Sequence, residues 1–442
     1  MPDLLGESAL LLYRAIGRLI APALPLVLAA RTRAGKEDPS RRHERLGRPR
    51  RPRPAGPLVW VHAASVGETV SVLPMVERLA EDGFTVLVTS GTVTSARIAE
   101  DRLPKGAIHQ FVPLDVAPFV DRFLDHWRPD AALFVESEIW PTTIERVSRR
   151  GVPMGLVNAR MSERSFARWH RLGGLPHAVF GRISLALAQA EGDGERLAAL
   201  GVRTVEITGN LKFDGRPLGC DPAEVKRFAA LLRGRPTWIA ASTHPGEEVI
   251  AVKAHRLARE RLPDLLTVIA PRHPDRGDAL RADFAEQGIS VASRSHGDLP
   301  GPATDVYLAD TIGEMGLVYR LAPIAFVGGS LAPRGGQNPI EPARLGVAVL
   351  HGGSTHNFAE IYRELDRCGG ATAVADAETL ADAIVDLTDR PERRAAQIAA
   401  ARGVVDRSTG ALARTLAALA PRLSPLLAAR EPTTPLSGTE RP

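Results

Sequence analysis

Cysteine is almost missing from this chain, whose 442 residues include only Cys220 and Cys368. Two thiols so far apart, in no ligand-like spacing, supply neither a disulfide framework nor a zinc site, and they suit a reducing compartment. An unbroken apolar run is also lacking: residues 4–30 are interrupted by Glu7, Arg14 and Arg18, whereas a membrane span wants about 20 apolar residues free of such charges. A removed signal peptide is not expected, because no small-residue cleavage site comes after a short apolar core. No short-period repeat occurs, so a solenoid is excluded. No Asp-x-Asp pair stands after any β-rich run, where a divalent metal would bridge phosphates, and no metal or other cofactor is expected.

What is present exceeds one core, since single hydrophobic cores stop growing near about 250–300 residues. The net charge of +5 is uneven, because Arg and Lys crowd into residues 31–53 (RTRAGKEDPSRRHERLGRPRRPR). An interrupted apolar stretch joined directly to a basic run reads as an amphipathic helix lying on an anionic lipid surface. The positive residues after it hold the remainder of the chain in the cytoplasm. The bland alternative is a core helix next to a solvated charge run. Nucleic acid is not expected as a partner, because no aromatic interleaving or nucleic-acid motif accompanies the basic residues.

Beyond this segment, β-rich runs alternate with helical stretches: PLVWVHA (57–63), FTVLVTS (84–90), AIHQFVP (107–113), AALFVES (131–137), PMGLVNA (153–159) and ISLALAQ (183–189). The rhythm restarts at TWIAAST (237–243) and continues through LLTVIAP (265–271), ISVASRS (289–295), DVYLADT (305–311), IAFVGGS (324–330) and AVLHG (348–352). Strand–helix alternation predicts an α/β fold of two Rossmann-like, doubly wound parallel-sheet domains. The boundaries read as an anchor and basic linker over 1–54, a first domain over 55–214, a second over 215–405, and a helix with a frayed tail over 406–442. The Gly- and Pro-rich GNLKFDGRPLGCDP (209–222) is the expected hinge. Both domains place Gly-Glu at their first strand-to-helix turn, in HAASVGE (62–68) and STHPGEE (242–248).

In open parallel sheets, ligands bind outside the carboxyl ends of the strands. Glu68 stands after the first strand and opens a helix; it either complements the helix dipole or serves as a general base. Glu136 and Glu138 end the run AALFVESEIWP, and strand alternation predicts that they share a face while Ser137 points away. Two carboxylates there are costly unless solvated, paired or functional; Arg160 or Arg164 would be a structural partner. Lys212, in the hinge segment, is a cation suited to an anionic substrate.

The second half carries APRHPDR (270–276), GEM (313–315) and GGSLAPRGGQNPIEPARLG (328–346). Glycines 328, 329, 335 and 336 allow close backbone approach, and Pro339 suits the first turn of a helix whose amides hold a phosphate. Glu341 in that turn suits ribose hydroxyls, and Arg272 suits a base or phosphate.

Taken together, HAASVGE, ESEIWP, NARMSERS, GNLKFD, STHPGEE, PRHPDR, GEM and GGSLAPRGGQNPIEPA resemble the 3-deoxy-D-manno-octulosonic acid (Kdo) transferase family of lipopolysaccharide synthesis. The resemblance runs to about residue 425. It implies the two-domain GT-B fold, with a cleft between acceptor-binding and CMP-binding halves and a membrane-associated N-terminal helix at the cytoplasmic face of the inner membrane. It implies an inverting, metal-independent transfer of Kdo from CMP-Kdo to a lipid A precursor, lipid IVA. The family's proton acceptor falls on Glu68, and its transition-state stabilisers fall on Glu136 and Lys212. Its CMP contacts fall on Pro271, Arg272, Gly313, Glu314, Met315, Asn338, Pro339, Ile340 and Glu341. Ala63 and Ala64 before Ser65, and Gln337 before Asn338, depart from the family's pattern beside matched residues.

A sugar-nucleotide epimerase of the same fold would use UDP and need no lipid anchor, against which the N-terminal segment and ESEIWP argue. A non-catalytic membrane-bound scaffold would not retain Glu68, Glu136 and Lys212 together with the nucleotide-contact set.

Overall fold

The computed structural model describes residues 4–215 and 218–428, so the expected frayed tail at 430–442 lies outside the described residues. The chain divides into two compact units, one comprising Met1–Gly215 and Thr409–Pro442, the other Arg216–Ser408.

The first unit opens with helices α1 (Leu4–Ile20) and α2 (Leu24–Arg33), and α3 (Val66–Glu81) comes after its first strand. Its strands are β1 (Leu58–His62), β2 (Thr85–Ser90), β3 (Ala107–Phe111), β4 (Ala131–Val135), β5 (Met154–Ala159), β6 (Leu185–Ala188) and β7 (Val205–Ile207). They form one sheet in the order β3-β2-β1-β4-β5-β6-β7, with every pair parallel. The order reverses between β1 and β4, which makes their carboxyl ends the place for a ligand. Alternation along β1 builds the core on both faces. Leu58 and Trp60 join the cluster of Phe123 and Trp127, while Val59 and Val61 pack with Val72, Met75 and Val76 of α3. Each such large side chain, fully buried, contributes roughly 2–3 kcal/mol.

The helix Ala411–Ala428 belongs to this unit, placing Leu419 and Leu423 in the cluster beneath α3. Its start is fixed by Asp214, whose carboxylate accepts the amides of Gly410 and Leu412.

The second unit holds β8 (Thr237–Thr243), β9 (Leu266–Pro271), β10 (Val291–Ser293), β11 (Val306–Leu308), β12 (Ile324–Val327), β13 (Ala348–His351) and β14 (Ala371–Ala373). These run parallel in the order β10-β11-β9-β8-β12-β13-β14. Here the order reverses between β8 and β12. Trp238 and Ala240 face one core cluster, and Ile239 and Ala241 the other. The two strands that the apolar rhythm misses, β7 and β14, are the three-residue strands at one edge of each sheet. They carry too little buried apolar surface to announce themselves.

The N-terminal segment departs from the simple amphipathic picture. Two of the three charges that interrupt it turn inward, Glu7 pairing with Arg182 at 2.8 Å and Arg14 with Glu145 at 2.8 Å, while Arg18 stays exposed. Gly6, Leu10, Tyr13, Arg14 and Gly17 recur at helical spacing along the docked face. A Cβ at Gly6 would sit 2.2 Å from the Gly174 carbonyl, so only glycine permits this approach. The outward face is apolar instead, with Leu4, Leu5, Leu11, Leu12, Ile16 and Leu19 all more than half exposed. By length and composition, Leu4–Arg33 is long and apolar enough to cross a membrane.

The basic run is likewise not one solvated stretch. Arg45 is buried and pairs with Glu37 at 3.0 Å. Arg41 donates to the His109 carbonyl at 3.1 Å, and Glu44 accepts the Phe111 amide at 2.7 Å, which together cap the edge strand β3. Arg31, Arg33, Lys36, Arg42, Arg48, Arg50 and Arg51 are not buried in this way and lie at the surface.

Candidate active site

In the first unit the chain leaves β1 and enters α3 through Ala63, Ala64 and Ser65. Ser65 caps the helix, its hydroxyl accepting the Glu68 amide at 3.3 Å. Glu68 turns back over this cap: its Oε1 accepts the Ser65 hydroxyl at 2.7 Å and its Oε2 accepts the Ala64 amide at 2.8 Å. The carboxylate is thus held in one place by the helix start it helps to close. Burial pushes its pKa above the ordinary carboxylate value; the Ser65 hydrogen bond opposes this, and the charges of Glu138 and Glu136 add to it.

Those two carboxylates arrive from the end of β4, but not by strand alternation. The strand ends at Val135, and Glu136 takes a left-handed backbone with φ of +54°. A non-glycine residue there costs about 1 kcal/mol or more and marks a position the surroundings over-determine. Glu136 then pairs with Lys212, not with Arg160 or Arg164, at 3.0 Å. Lys212 comes from the short 3-10 turn Leu211–Asp214 after β7, which Asn158 anchors by accepting the Leu211 amide at 2.9 Å. Asn158 is itself left-handed, with φ of +51°. Glu138 turns the other way. Its Oε2 accepts the Trp140 indole at 2.8 Å and lies 3.5 Å from Nε2 of the buried His62. Burial alone would raise the Glu138 pKa, but contact with His62 and Trp140 outweighs it and the group is held low.

The structure therefore brings Glu68, Glu136 and Lys212 into one electrostatic cluster at the β1/β4 reversal. Glu138, singled out beside Glu136 in the sequence, lies there too, and the structure adds His62, which the sequence motifs did not assign to the site. His62 ends a run of buried strand residues and reads there as core; the signal available was a histidine opening HAASVGE.

In the second unit, Pro271 closes β9 and Arg272 comes next, exposed, with its amide donated to the Thr243 carbonyl at 2.9 Å. Gly313, Glu314 and Met315 stand after β11, and Asn338, Pro339, Ile340 and Glu341 after β12. All these segments lie beyond the carboxyl ends of strands in one sheet. Glu314 pairs with Arg294 at 2.7 Å, which holds its carboxylate below the usual range. Asn338 accepts the Ile340 amide at 3.0 Å and so fixes the start of the helix Ile340–Leu345.

The start of the Gly-rich loop is organised from within the unit: the amides of Gly329, Ser330, Leu331 and Ala332 are taken by the buried carboxylate of Glu247 at 2.7, 3.0, 2.9 and 3.1 Å. Glu247 also accepts the His244 amide at 2.9 Å. The second Gly-Glu turn thus supplies an internal anion that organises the loop. Gly328 is needed for packing, since a Cβ there would sit 2.6 Å from the Ser242 carbonyl.

Two doubly wound parallel units, each with its candidate residues beyond the carboxyl ends of its strands, make up the two-domain α/β fold of the GT-B class. A putative UDP-N-acetylglucosamine 2-epimerase from Listeria monocytogenes has the same fold, with a TM-score of 0.56 and 17% identity over 84% of this chain and 98% of that one. The family matches are what separate transferase from epimerase. A family model described as 3-deoxy-D-manno-octulosonic-acid transferase (kdotransferase) matches residues 40–215. The 3-deoxy-D-manno-octulosonic acid transferase of Bordetella pertussis is 38% identical over 384 residues, covering 84% of this chain and 88% of that protein. A probable mitochondrial 3-deoxy-D-manno-octulosonic acid transferase of Arabidopsis thaliana is 34% identical over 401 residues, covering 88% of this chain and 90% of that protein. The chain belongs to the 3-deoxy-D-manno-octulosonic acid transferase family and is a Kdo glycosyltransferase.

Proposed function

We propose that the enzyme moves Kdo from CMP-Kdo to lipid IVA, a lipid A precursor, with inversion at the anomeric carbon and with Glu68 as general base. The observation that carries this reading is the convergence of Glu68, Glu136 and Lys212, with Glu68 fixed by two hydrogen bonds and a raised proton affinity.

A sugar hydroxyl is a poor nucleophile until its proton is taken, and a positioned carboxylate contributes on the order of 10² to 10⁴ in rate. In this reading Glu68 accepts that proton while the oxygen attacks the anomeric carbon from the face opposite CMP. The bond to the phosphate oxygen breaks, and its electron pair leaves with CMP. CMP departs as a stable anion, so no general acid is required. Lys212, oriented by Glu136, stabilises the developing negative charge. Arg272 and the loops carrying Gly313, Glu314, Met315, Asn338 and Glu341 hold the nucleotide, with Pro271, Pro339 and Ile340 shaping the backbone around it. The transfer needs no divalent metal.

The acceptor is amphiphilic, and the outward apolar face of α1 beside the surface basic residues supports attachment to the cytoplasmic face of the inner membrane. Burial of that face and attraction of Arg and Lys to anionic headgroups act together. The test is incubation of the purified chain with CMP-Kdo and lipid IVA, with and without a chelator, measuring added sugar and released CMP. Equal release in both conditions is expected; no product on lipid IVA, or product only with metal, contradicts the reading.

A further inference from the structure

The motif NARMSERS ends in arginines that the site does not use. Arg160, Arg164, Arg168 and Arg171 stand in one short stretch with a single carboxylate, Glu163. Among the described residues none of the five makes an ion pair, whereas Arg146, Arg150, Arg182 and Arg196 of the same unit all do.

Local folding puts three of these arginines on one line. Ser162 caps the helix Glu163–His170 by accepting the Ser165 amide at 3.2 Å. Phe166 and Trp169 pack against the core cluster that also holds Leu10 of α1, and Trp169 meets Phe180 edge-on with ring centroids 5.1 Å apart. Arg164, Arg168 and Arg171 recur at i, i+4 and i+7, which sets them on the opposite side, and all three are exposed. Like charges at such spacings work against a helix by roughly 0.2–0.5 kcal/mol per pair. An anion lying on the stripe relieves that repulsion.

The stripe has the carboxylate–lysine cluster at one end and the apolar helix at the other. Arg160 comes directly after β5, and its amide donates to the Glu136 carbonyl at 3.4 Å. Beyond Arg171 the chain reaches Gly174, whose carbonyl packs against α1 at Gly6. An amphiphile with its acyl chains along the outward face of α1 and its sugar hydroxyl at Glu68 has its head beside these arginines.

We propose that Arg164, Arg168 and Arg171 form an anion track that holds phosphate on the sugar head of the acceptor, which makes the acceptor a phosphorylated amphiphile, as lipid IVA is. The proposal rests on the reading of the first unit as the acceptor-binding half. A guanidinium fork meets two phosphate oxygens at once and keeps its charge at every working pH. Bilayer headgroups carry the same chemistry, but the run of the stripe toward Glu136 favours the acceptor.

The test uses the full chain in neutral-detergent micelles, with lipid IVA and with lipid IVA stripped of phosphate by a phosphatase. Equilibrium affinity for each is measured for wild type and for the triple variant Arg164→Gln, Arg168→Gln, Arg171→Gln. Losing the three guanidinium groups should weaken lipid IVA binding about tenfold, losing the phosphates should weaken wild type by a similar factor, and losing both should add nothing further. Unchanged affinity of the variant for lipid IVA, or no wild-type affinity to lose, overturns the track. An equal loss on the phosphate-free acceptor does so too. A variant that binds lipid IVA as wild type does but sediments less with phosphatidylglycerol vesicles assigns the stripe to the bilayer and overturns the proposal. Binding needs no chemistry, so failure of the transfer reading shows separately, as absence of product from wild type on lipid IVA.

Discussion

Glu68 sits where a helix-capping carboxylate would sit, and its two hydrogen bonds are those of a cap. What distinguishes it from a cap is its company: two further carboxylates from the end of β4, burial, and a proton affinity raised by that burial. This fixes the sign of its pH dependence. A base is lost when protonated, so transfer rises with pH through the Glu68 pKa, which lies above the ordinary value of about 4.3. The Ser65 hydroxyl stabilises the charged form, so Ser65→Ala should move the acid limb to higher pH and cost about 1 kcal/mol in thermal unfolding through loss of the cap. A limb that stays put or moves to lower pH would show that the hydroxyl is not bonded to the working base. Glu68 and Glu136 could be singled out in the sequence because each stands in a motif after an expected strand, and Lys212 because it lies in the Gly- and Pro-rich hinge segment. His62 was not, because an imidazole inside a buried strand looks like core until its partners are seen. Glu247 was not, because a Gly-Glu turn does not reveal that its carboxylate gathers the amides of a loop more than 80 residues further along the chain.

Among the elements, α1 shows how one pattern supports two readings. Its interrupting charges suggested a polar face toward water, yet Glu7 and Arg14 point into the protein and pair there. Glu145, the partner of Arg14, is almost fully buried and also pairs with Arg149 of its own helix. The apolar face is left outward. Replacing Leu11, Leu12, Ile16 and Leu19 by Ser should therefore weaken sedimentation with anionic vesicles about tenfold, since each buried apolar side chain adds to membrane affinity, while leaving thermal stability near wild type. An unchanged vesicle-bound fraction would contradict membrane attachment by this face. Strand ends were the other surprise at this scale. The period-two rule fails at Glu136 because β4 stops at Val135 and the backbone turns left-handed.

For the whole molecule, alternating strand and helix patterns were enough to reveal two parallel, doubly wound sheets, because strands buried on both faces read as continuous apolar runs. The return of the helix Ala411–Ala428 to the first unit was not legible, since it depends on long-range contacts such as Asp214 with the Gly410 amide. The central claim is that a transferase of this family uses Glu68 to take the acceptor's proton while the second unit holds the donor. The most direct test pairs two numbers for wild type and Glu68→Gln at one pH: initial transfer rate at saturating lipid IVA, and affinity for CMP-Kdo. The account predicts a rate lower by roughly two to four powers of ten with donor affinity unchanged. A variant that turns over within about threefold of wild type would contradict it and return Glu68 to the role of a helix cap.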